Sequence, residues 1–111
     1  MIYNLFMQNK LLIFDLDGTL VNTVVDLNMA INYGLENNGF PLKSVDQTTK
    51  AIGNGISKTI YRSLPDNTSE EVHDQVLKDF RKFYKDHYLD NSKPYPNMLE
   101  TLRKLKSSGF I

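Results

Sequence analysis

Residues 11–23 read LLIFDLDGTLVNT, an apolar run that ends in two aspartates with one leucine between them and a glycine directly behind. In an extended strand, side chains two residues apart point to the same side, so Asp15 and Asp17 are expected to project together. Two carboxylates in one small space repel each other, and a hard divalent cation with oxygen ligands relieves that repulsion. The pattern therefore predicts a Mg²⁺ and phosphate site at the end of a buried strand, where open α/β sheets bind ligands.

Two other structures also place an Asp-Gly pair in such a setting. A calcium-binding loop is excluded by spacing, because its first ligand would be Ile13 and its closing glutamate would be Val24. A tight hairpin turn between two strands remains open, since Asp-Gly between apolar runs is a strong hairpin signal. The residues after Thr23 recur at helical spacing, which favours a strand followed by a loop and a helix.

The composition excludes several classes of protein and partner. The chain has 111 residues, 13 basic and 13 acidic, and no cysteine. A balanced charge without a basic stripe does not favour nucleic acid as a partner. The first ten residues lack the features of a signal peptide, and no run is long enough to span a bilayer. The absence of cysteine fits a reducing cytoplasm and rules out disulfides and thiolate metal sites.

Helical spacing recurs through most of the remaining chain. The sequence predicts a helix of about four turns, begun by a Thr23–Asp26 capping box and ended by Gly39. The longest apolar stripe is interpreted as core packing, with His73 and His87 toward the solvated side and no metal role; it consists of Val72, Val76, Phe80, Phe83, Tyr84 and Tyr88. The other predicted elements are a short helix over 44–52, a short helix closed by Pro65, a long helix begun by a Thr68–Glu71 capping box, a stiff connector over 93–96, a helix from Asn97 to Gly109, and the start of a buried strand at Phe110–Ile111.

The tetrad Asp15-Leu16-Asp17-Gly18, with Thr19-Leu20 after it, resembles the first signature of the haloacid dehalogenase superfamily of phosphotransferases. The resemblance implies that Asp15 is the nucleophile, that Asp17 is the general acid and then base, and that both hold Mg²⁺. A carboxylate is a competent phosphoryl acceptor, and a covalent intermediate divides one difficult displacement into two easier ones. Gly18 would let backbone amides approach the phosphate, and Thr19 would add a donor.

The order of elements is similar to that of the phosphoglycolate phosphatase branch of this superfamily over nearly the whole chain. It implies an α/β fold with a Rossmann-like core and an inserted helical cap. Residues 1–20 are then the first core strand and catalytic loop, 21–92 the cap, and 93–111 the return linker, a core helix and the start of the second core strand. Met7 lies where such proteins commonly begin, so residues 1–6 are predicted to be dispensable.

The resemblance also requires groups that the sequence does not contain: a Ser or Thr after the second core strand, a later Lys, and further acidic residues around the Mg²⁺. One strand and a two-residue stub cannot form a sheet. We therefore expect the chain to be the N-terminal part of a longer phosphatase, with little activity alone. Its partner would be the missing C-terminal half of the core or a second copy.

The expected activity is hydrolysis of a small phosphorylated metabolite, a phosphate monoester, with Mg²⁺. A hexose-phosphate mutase or a pyrophosphatase on the same scaffold, and a noncatalytic helical interaction fragment, remain open. In the predicted cap loop, Asn54 and Lys58 are candidate substrate-binding residues, although Lys58 with Arg62 also fits a solvated helix face. Asn22 stands where the family commonly has aspartate, and the effect of that difference stays open.

Overall fold

The structure is a computed structural model that describes residues 10–111. The prediction that residues 1–6 are dispensable lies outside these residues. Along the described chain, the elements are β1 (Val21–Asn22), α1 (Val24–Asn37), α2 (Val45–Ala51), α3 (Ile56–Ser63), α4 (Glu70–His87), β2 (Lys93–Pro94) and α5 (Met98–Ser107). None of the described helices is long and apolar enough to cross a membrane.

The chain divides into two compact units. One, the helical unit, is the continuous segment Thr23–Lys93, which carries α1 to α4. The other, the split unit, consists of the described residues up to Asn22 together with Pro94–Ile111. The two short strands β1 and β2 pair with each other. Along the chain, the helical unit is therefore inserted between the two parts of the split unit.

The helical unit is built around a core that three helices share. Helix α1 packs chiefly against α4, while α2 and α3 pack side by side and each contacts one of those two. The apolar stripes predicted from helical spacing face inward, as expected for amphipathic helices. The buried cluster consists of Ala30, Ile31 and Leu35 of α1, Ile60 and Leu64 of α3 and its end, and Val76 and Phe80 of α4.

The long helix α4 corrects one prediction about its histidines. His73 is 2% exposed, so its placement on the solvated side was wrong. Its ring stacks on Tyr61 with centroids 3.6 Å apart, and Nε2 lies 3.0 Å from the carbonyl oxygen of Ser57. An imidazole is amphipathic, and an aromatic neighbour with one carbonyl partner is enough to bury it. His87 is largely exposed, as predicted.

The helix starts show which local signals were interpreted correctly. Ser44 and Gln47 form a reciprocal capping box at the start of α2, and this box was not predicted from the sequence. Helix α4 is capped by Ser69, one residue after the predicted Thr68. Thr23 makes no side-chain cap bond at α1, so the Thr23–Asp26 box was wrong. The carboxylate of Asp26 is instead engaged by residues beyond α4, which a local motif cannot reveal.

The split unit contains less regular structure than its apolar sequence predicts. Residues 11–14 form no strand. Beside them, Lys10 forms an isolated parallel bridge with Phe110, and the Leu12 N–H donates to the Ile111 carbonyl at 3.0 Å. A ladder needs a partner of similar length, and the chain supplies two residues there. Leu12 and Phe14 still share one side, lining a recess with Leu102, Leu105, Phe110 and Ile111, while Leu11 and Ile13 are 64% and 86% exposed.

Candidate active site

The two aspartates of the opening motif lie at the start of a tightly closed loop. The carbonyl oxygen of Leu16 accepts hydrogen bonds from the backbone N–H groups three, four and five residues later, at 3.3, 3.1 and 3.1 Å. Gly18 closes the loop by donating to the Val21 carbonyl at 2.9 Å, and its φ of +76° is a left-handed conformation that favours glycine. The hairpin alternative was therefore wrong, because 16–21 fold as one compact turn that leads into α1.

The side chains of this loop are available to a ligand. Asp15, Asp17, Gly18 and Thr19 are all exposed, and the Oδ1 atom of Asp15 accepts only a bond from the adjacent Leu16 N–H, at 3.0 Å, among the described residues. Exposed carboxylates with nearby water suit Mg²⁺, which binds proteins through one or two carboxylates and keeps several of its waters. The chemistry of Asp15 and Asp17 thus fits this ion, which would need further oxygen ligands besides these two.

In the helical unit, the predicted cap loop is held by Arg62. The Nη1 atom of Arg62 donates to the carbonyl oxygens of Ala51 at 3.0 Å and Gly53 at 2.7 Å, and Nη2 donates to Asn54 Oδ1 at 3.1 Å. Asn54 has a φ of +60° between two glycines that also have positive φ. A guanidinium presents several donors in a rigid fork, so one side chain fixes both arms of the loop.

Lys58 and Arg62 are both exposed on α3, but their side chains make different contacts. The Lys58 ammonium lies 5.9 Å from the centre of the Tyr61 ring, at a distance typical of a cation–π contact, whereas Arg62 turns to the loop. The Tyr61 hydroxyl donates to Glu70. That hydrogen bond, together with desolvation and the negative charges of Glu70 and Asp74, raises the pKa of Tyr61 to about 12.

Asp26 is a polar centre that the sequence did not identify. Its carboxylate is buried and accepts bonds from the backbone N–H of Asn91, at 2.9 and 3.0 Å, from the Asn91 amide at 3.0 Å and from the Ser92 hydroxyl at 2.6 Å. Burial raises the pKa of Asp26, but these hydrogen bonds outweigh it and hold the pKa below the ordinary 3.8. No sequence signal links positions so far apart in the chain.

One further group of possible ligands lies on α4. A side-chain atom of each of Glu70, His73 and Asp74 falls within 4.8 Å of the others. The ring of His73 is already oriented by the Ser57 carbonyl and by Asp74, 3.4 Å from Nδ1, and Glu70 accepts from Tyr61. Existing contacts therefore account for these groups without an ion.

Comparison with known proteins finds relatives over almost the whole chain. A model of the haloacid dehalogenase-like hydrolase family matches residues 12–111. A phosphoglycolate phosphatase of Aliivibrio fischeri is 32% identical over 96% of this chain, and one of Aquifex aeolicus is 36% identical over 91%. A crystal structure of a predicted phosphoglycolate phosphatase from Haemophilus somnus superposes with a TM-score of 0.83 at 34% identity, over 94% of this chain.

These similarities also define the extent of the chain relative to complete proteins. It spans 49% of the Aliivibrio fischeri protein, 46% of the Aquifex aeolicus protein and 49% of the Haemophilus somnus chain. The fold expected from the motif, a partial core with an inserted helical segment, is confirmed by these matches. With the family model covering almost every described residue, the chain belongs to the haloacid dehalogenase-like hydrolase family.

Proposed function

We propose that this chain is the N-terminal portion of a Mg²⁺-dependent phosphatase that hydrolyses small phosphate monoesters, of the phosphoglycolate phosphatase type. The observation that carries the proposal is the closed loop over 16–21 with Asp15 directly before it, where two carboxylates and a left-handed glycine are exposed within four residues of the chain. The similarity to proteins named phosphoglycolate phosphatase supports the substrate class. The absence of cysteine supports action in a reducing cytoplasm.

In the proposed reaction, a carboxylate oxygen of Asp15 attacks phosphorus, and the bond between phosphorus and the ester oxygen breaks. Asp17 gives its proton to the departing alkoxide. The Asp17 carboxylate then takes a proton from water, whose oxygen attacks the phosphorus of the aspartyl-phosphate. Inorganic phosphate leaves and the Asp15 carboxylate is regenerated. Mg²⁺ held by Asp15 and by the Asp17 oxygen that carries no proton would neutralise phosphate charge. The Thr19 hydroxyl would bind a phosphate oxygen, and Gly18, which has no side chain, would let the phosphate approach the loop closely, since the amides of both residues already donate within the loop.

In the same proposal, Asn54 in its Arg62-braced loop and Lys58 beside Tyr61 bind the part of the substrate that is not phosphate. Asn54 offers both a donor and an acceptor, although Arg62 occupies its Oδ1. The C-terminal half of the core supplies the remaining phosphate and Mg²⁺ ligands. It also covers the recess lined by Leu12, Phe14 and Leu102, because a parallel sheet is normally covered on both faces.

The experiment is to assay phosphoglycolate and a generic aryl phosphate with the product of the complete reading frame and with the 111-residue chain alone. We expect turnover that depends on Mg²⁺ from the former and little from the latter. Asp15→Asn should reduce turnover to background, and Asp17→Asn should lower kcat by about 10² to 10⁴ because general acid and base catalysis is lost. Asp86→Asn, on the exposed side of α4, is the control. Turnover that survives Asp15→Asn would refute the nucleophile assignment.

A further inference from the structure

A recess on the helical unit is lined by three cationic side chains and by no acidic side chain. It has a volume of about 200 Å³ and is lined by Lys43, Lys50 and Arg62 together with Gln47, Ala51 and Ser63. No carboxylate lines it, and none of its three cations forms an ion pair with the residues that the structure describes. Like charges around one concavity repel each other, and an anion between them removes that repulsion.

The backbone at the edge of the recess is fixed in place. The Lys43 carbonyl accepts from the side-chain amides of Asn28 at 3.0 Å and Asn32 at 2.9 Å, and the Lys43 N–H donates to Asn32 Oδ1 at 2.8 Å. Asn28 is in turn held by the buried Thr48 hydroxyl at 2.8 Å. These bonds fix the backbone of Lys43 against α1, so its side chain starts from a fixed point at the edge of the recess.

The guanidinium of Arg62 is also held in one orientation and keeps N–H donors that are not used in these bonds. Three of its bonds go to Ala51, Gly53 and Asn54, and all three acceptors are neutral. A guanidinium has five N–H donors, so two remain for another acceptor and the full positive charge is retained. Because the fork is ordered before any ligand arrives, binding loses little further side-chain entropy.

We propose that this recess is a binding site for a small oxyanion of the phosphate or carboxylate class. A water molecule occupies about 30 Å³ of liquid, so the volume corresponds to roughly six or seven waters. That space is enough for phosphate or a short carboxylic acid. The site belongs to the helical unit alone and does not depend on the proposed roles of Asp15 and Asp17.

The test is an amide NMR titration of the ¹⁵N-labelled chain with inorganic phosphate at neutral pH, constant ionic strength and no divalent cation. We expect saturable shifts confined to Lys43, Lys50–Gly53 and Arg62–Ser63, with a dissociation constant on the order of 1 mM. Acetate serves as the second probe. Tighter binding of phosphate than of acetate would identify a phosphate site, because phosphate has the higher charge and more acceptor oxygens. Equal affinity for the two anions would identify a carboxylate site, because the additional charge and oxygens of phosphate would then make no difference.

Single substitutions decide whether the recess itself binds the anion. Lys50→Gln and Lys43→Gln should each weaken phosphate binding about tenfold, because each removes a charge-assisted hydrogen bond while leaving the Arg62 contacts intact. Lys82→Gln, an exposed lysine of α4, is the matched control and should bind as the parent does. Shifts that stay linear in phosphate, that spread over the lysines of α4, or that persist unchanged in both recess variants would overturn the proposal.

Discussion

At the scale of single residues, Asp26 determines how the two ends of the helical unit are held. It lies in the first turn of α1, where an acidic side chain normally complements the helix dipole or closes a capping box. Here its carboxylate binds Asn91 and Ser92, 65 and 66 residues further along the chain. The capping-box prediction failed because sequence patterns reveal partners within one helical turn. The partners of Asp26 follow the end of α4 and come close to it only in the folded chain.

Asp26→Asn should lower the free energy of unfolding by about 2–3 kcal/mol, since hydrogen bonds to a buried charge are lost or weakened. The measurement is urea unfolding followed by helical circular dichroism at neutral pH. Asp86→Asn, with an exposed carboxylate, should stay within about 0.5 kcal/mol of the parent. An equal effect of both variants would show that net charge, and not the contacts with Asn91 and Ser92, determines the change.

The ionisation of Asp26 also makes the free energy of unfolding depend on pH. Because the folded pKa of Asp26 is lower than the ordinary 3.8, the unfolded chain binds the proton more readily. The stabilisation is therefore complete above that value and is lost as the pH falls through the folded pKa. We expect the stability difference between the parent and Asp26→Asn to shrink in that acidic range. A difference that is constant with pH would contradict this linkage.

Tyr61 offers a second test at residue scale, because its ionisation can be followed by ultraviolet absorbance. Its pKa is raised to about 12, first of all by the hydrogen bond to Glu70. Glu70→Gln should bring the ionisation of one tyrosine back toward 10, the ordinary value. Tyr61→Phe identifies that tyrosine, since the highest step should disappear from the titration. Glu71→Gln, its exposed neighbour, is the control and should leave the profile unchanged.

At the scale of elements, α1 and α4 approach each other closely at Gly34 of α1. A Cβ atom at this position would lie 2.8 Å from the Val76 carbonyl oxygen and 3.2 Å from Val76 Cγ1 of α4. The absence of a side chain lets the two longest helices pack directly against each other, and α1 gains its buried face by that contact. Glycine is otherwise unfavourable inside a helix by about 1 kcal/mol relative to alanine.

Gly34→Ala should therefore destabilise the chain by about 1–3 kcal/mol despite the better helix propensity of alanine, because overpacking forces the helices apart. Thermal and urea unfolding measure the effect. Glu36→Ala, exposed on the same helix, is the control and should be neutral or slightly stabilising. Val76→Ala should not rescue Gly34→Ala, because the closer contact is with a backbone oxygen. A stabilising Gly34→Ala would show that α1 and α4 are not held at this distance.

Local periodicity predicted the elements of the helical unit well and their tertiary contacts poorly. The apolar stripe ending near Tyr88 marked α4, and the spacing after Thr23 marked α1, because each helix buries one face. His73, whose burial depends on Tyr61 and Ser57, was misplaced. For the candidate site, adjacent residues identified the loop around Asp15 and Asp17, whereas the role of Arg62 required a contact between α3 and the preceding loop.

At the scale of the whole molecule, the split unit leaves much of its apolar surface exposed. Leu99, Leu11 and Ile13 are 53%, 64% and 86% exposed, and a recess of about 400 Å³ lies between the residues that follow Lys10 and helix α5. No residue of α5 is buried. Exposed apolar patches of this kind mark interaction surfaces or aggregation sites.

The purified 111-residue chain should therefore self-associate as its concentration rises, which sedimentation velocity or light scattering after gel filtration will detect. Leu102→Glu, within the recess, should shift the distribution toward monomer by placing a charge on the associating surface. Leu42→Glu, an exposed leucine of the helical unit, should leave the association unchanged. A parent chain that stays monomeric into the millimolar range would contradict the role assigned to this surface.

The pairing of β1 with β2 and the Asp26 contacts with Asn91 and Ser92 have a consequence for modular exchange. A segment whose first and last residues are held side by side can be excised, or replaced by an unrelated domain, without moving the chain on either side of it. The helical unit meets that condition between Thr23 and Lys93. A graft that carries Asp26 and Ser92 together would keep the hydrogen bonds that join its two ends, so the helical unit could be exchanged as one continuous piece of the gene.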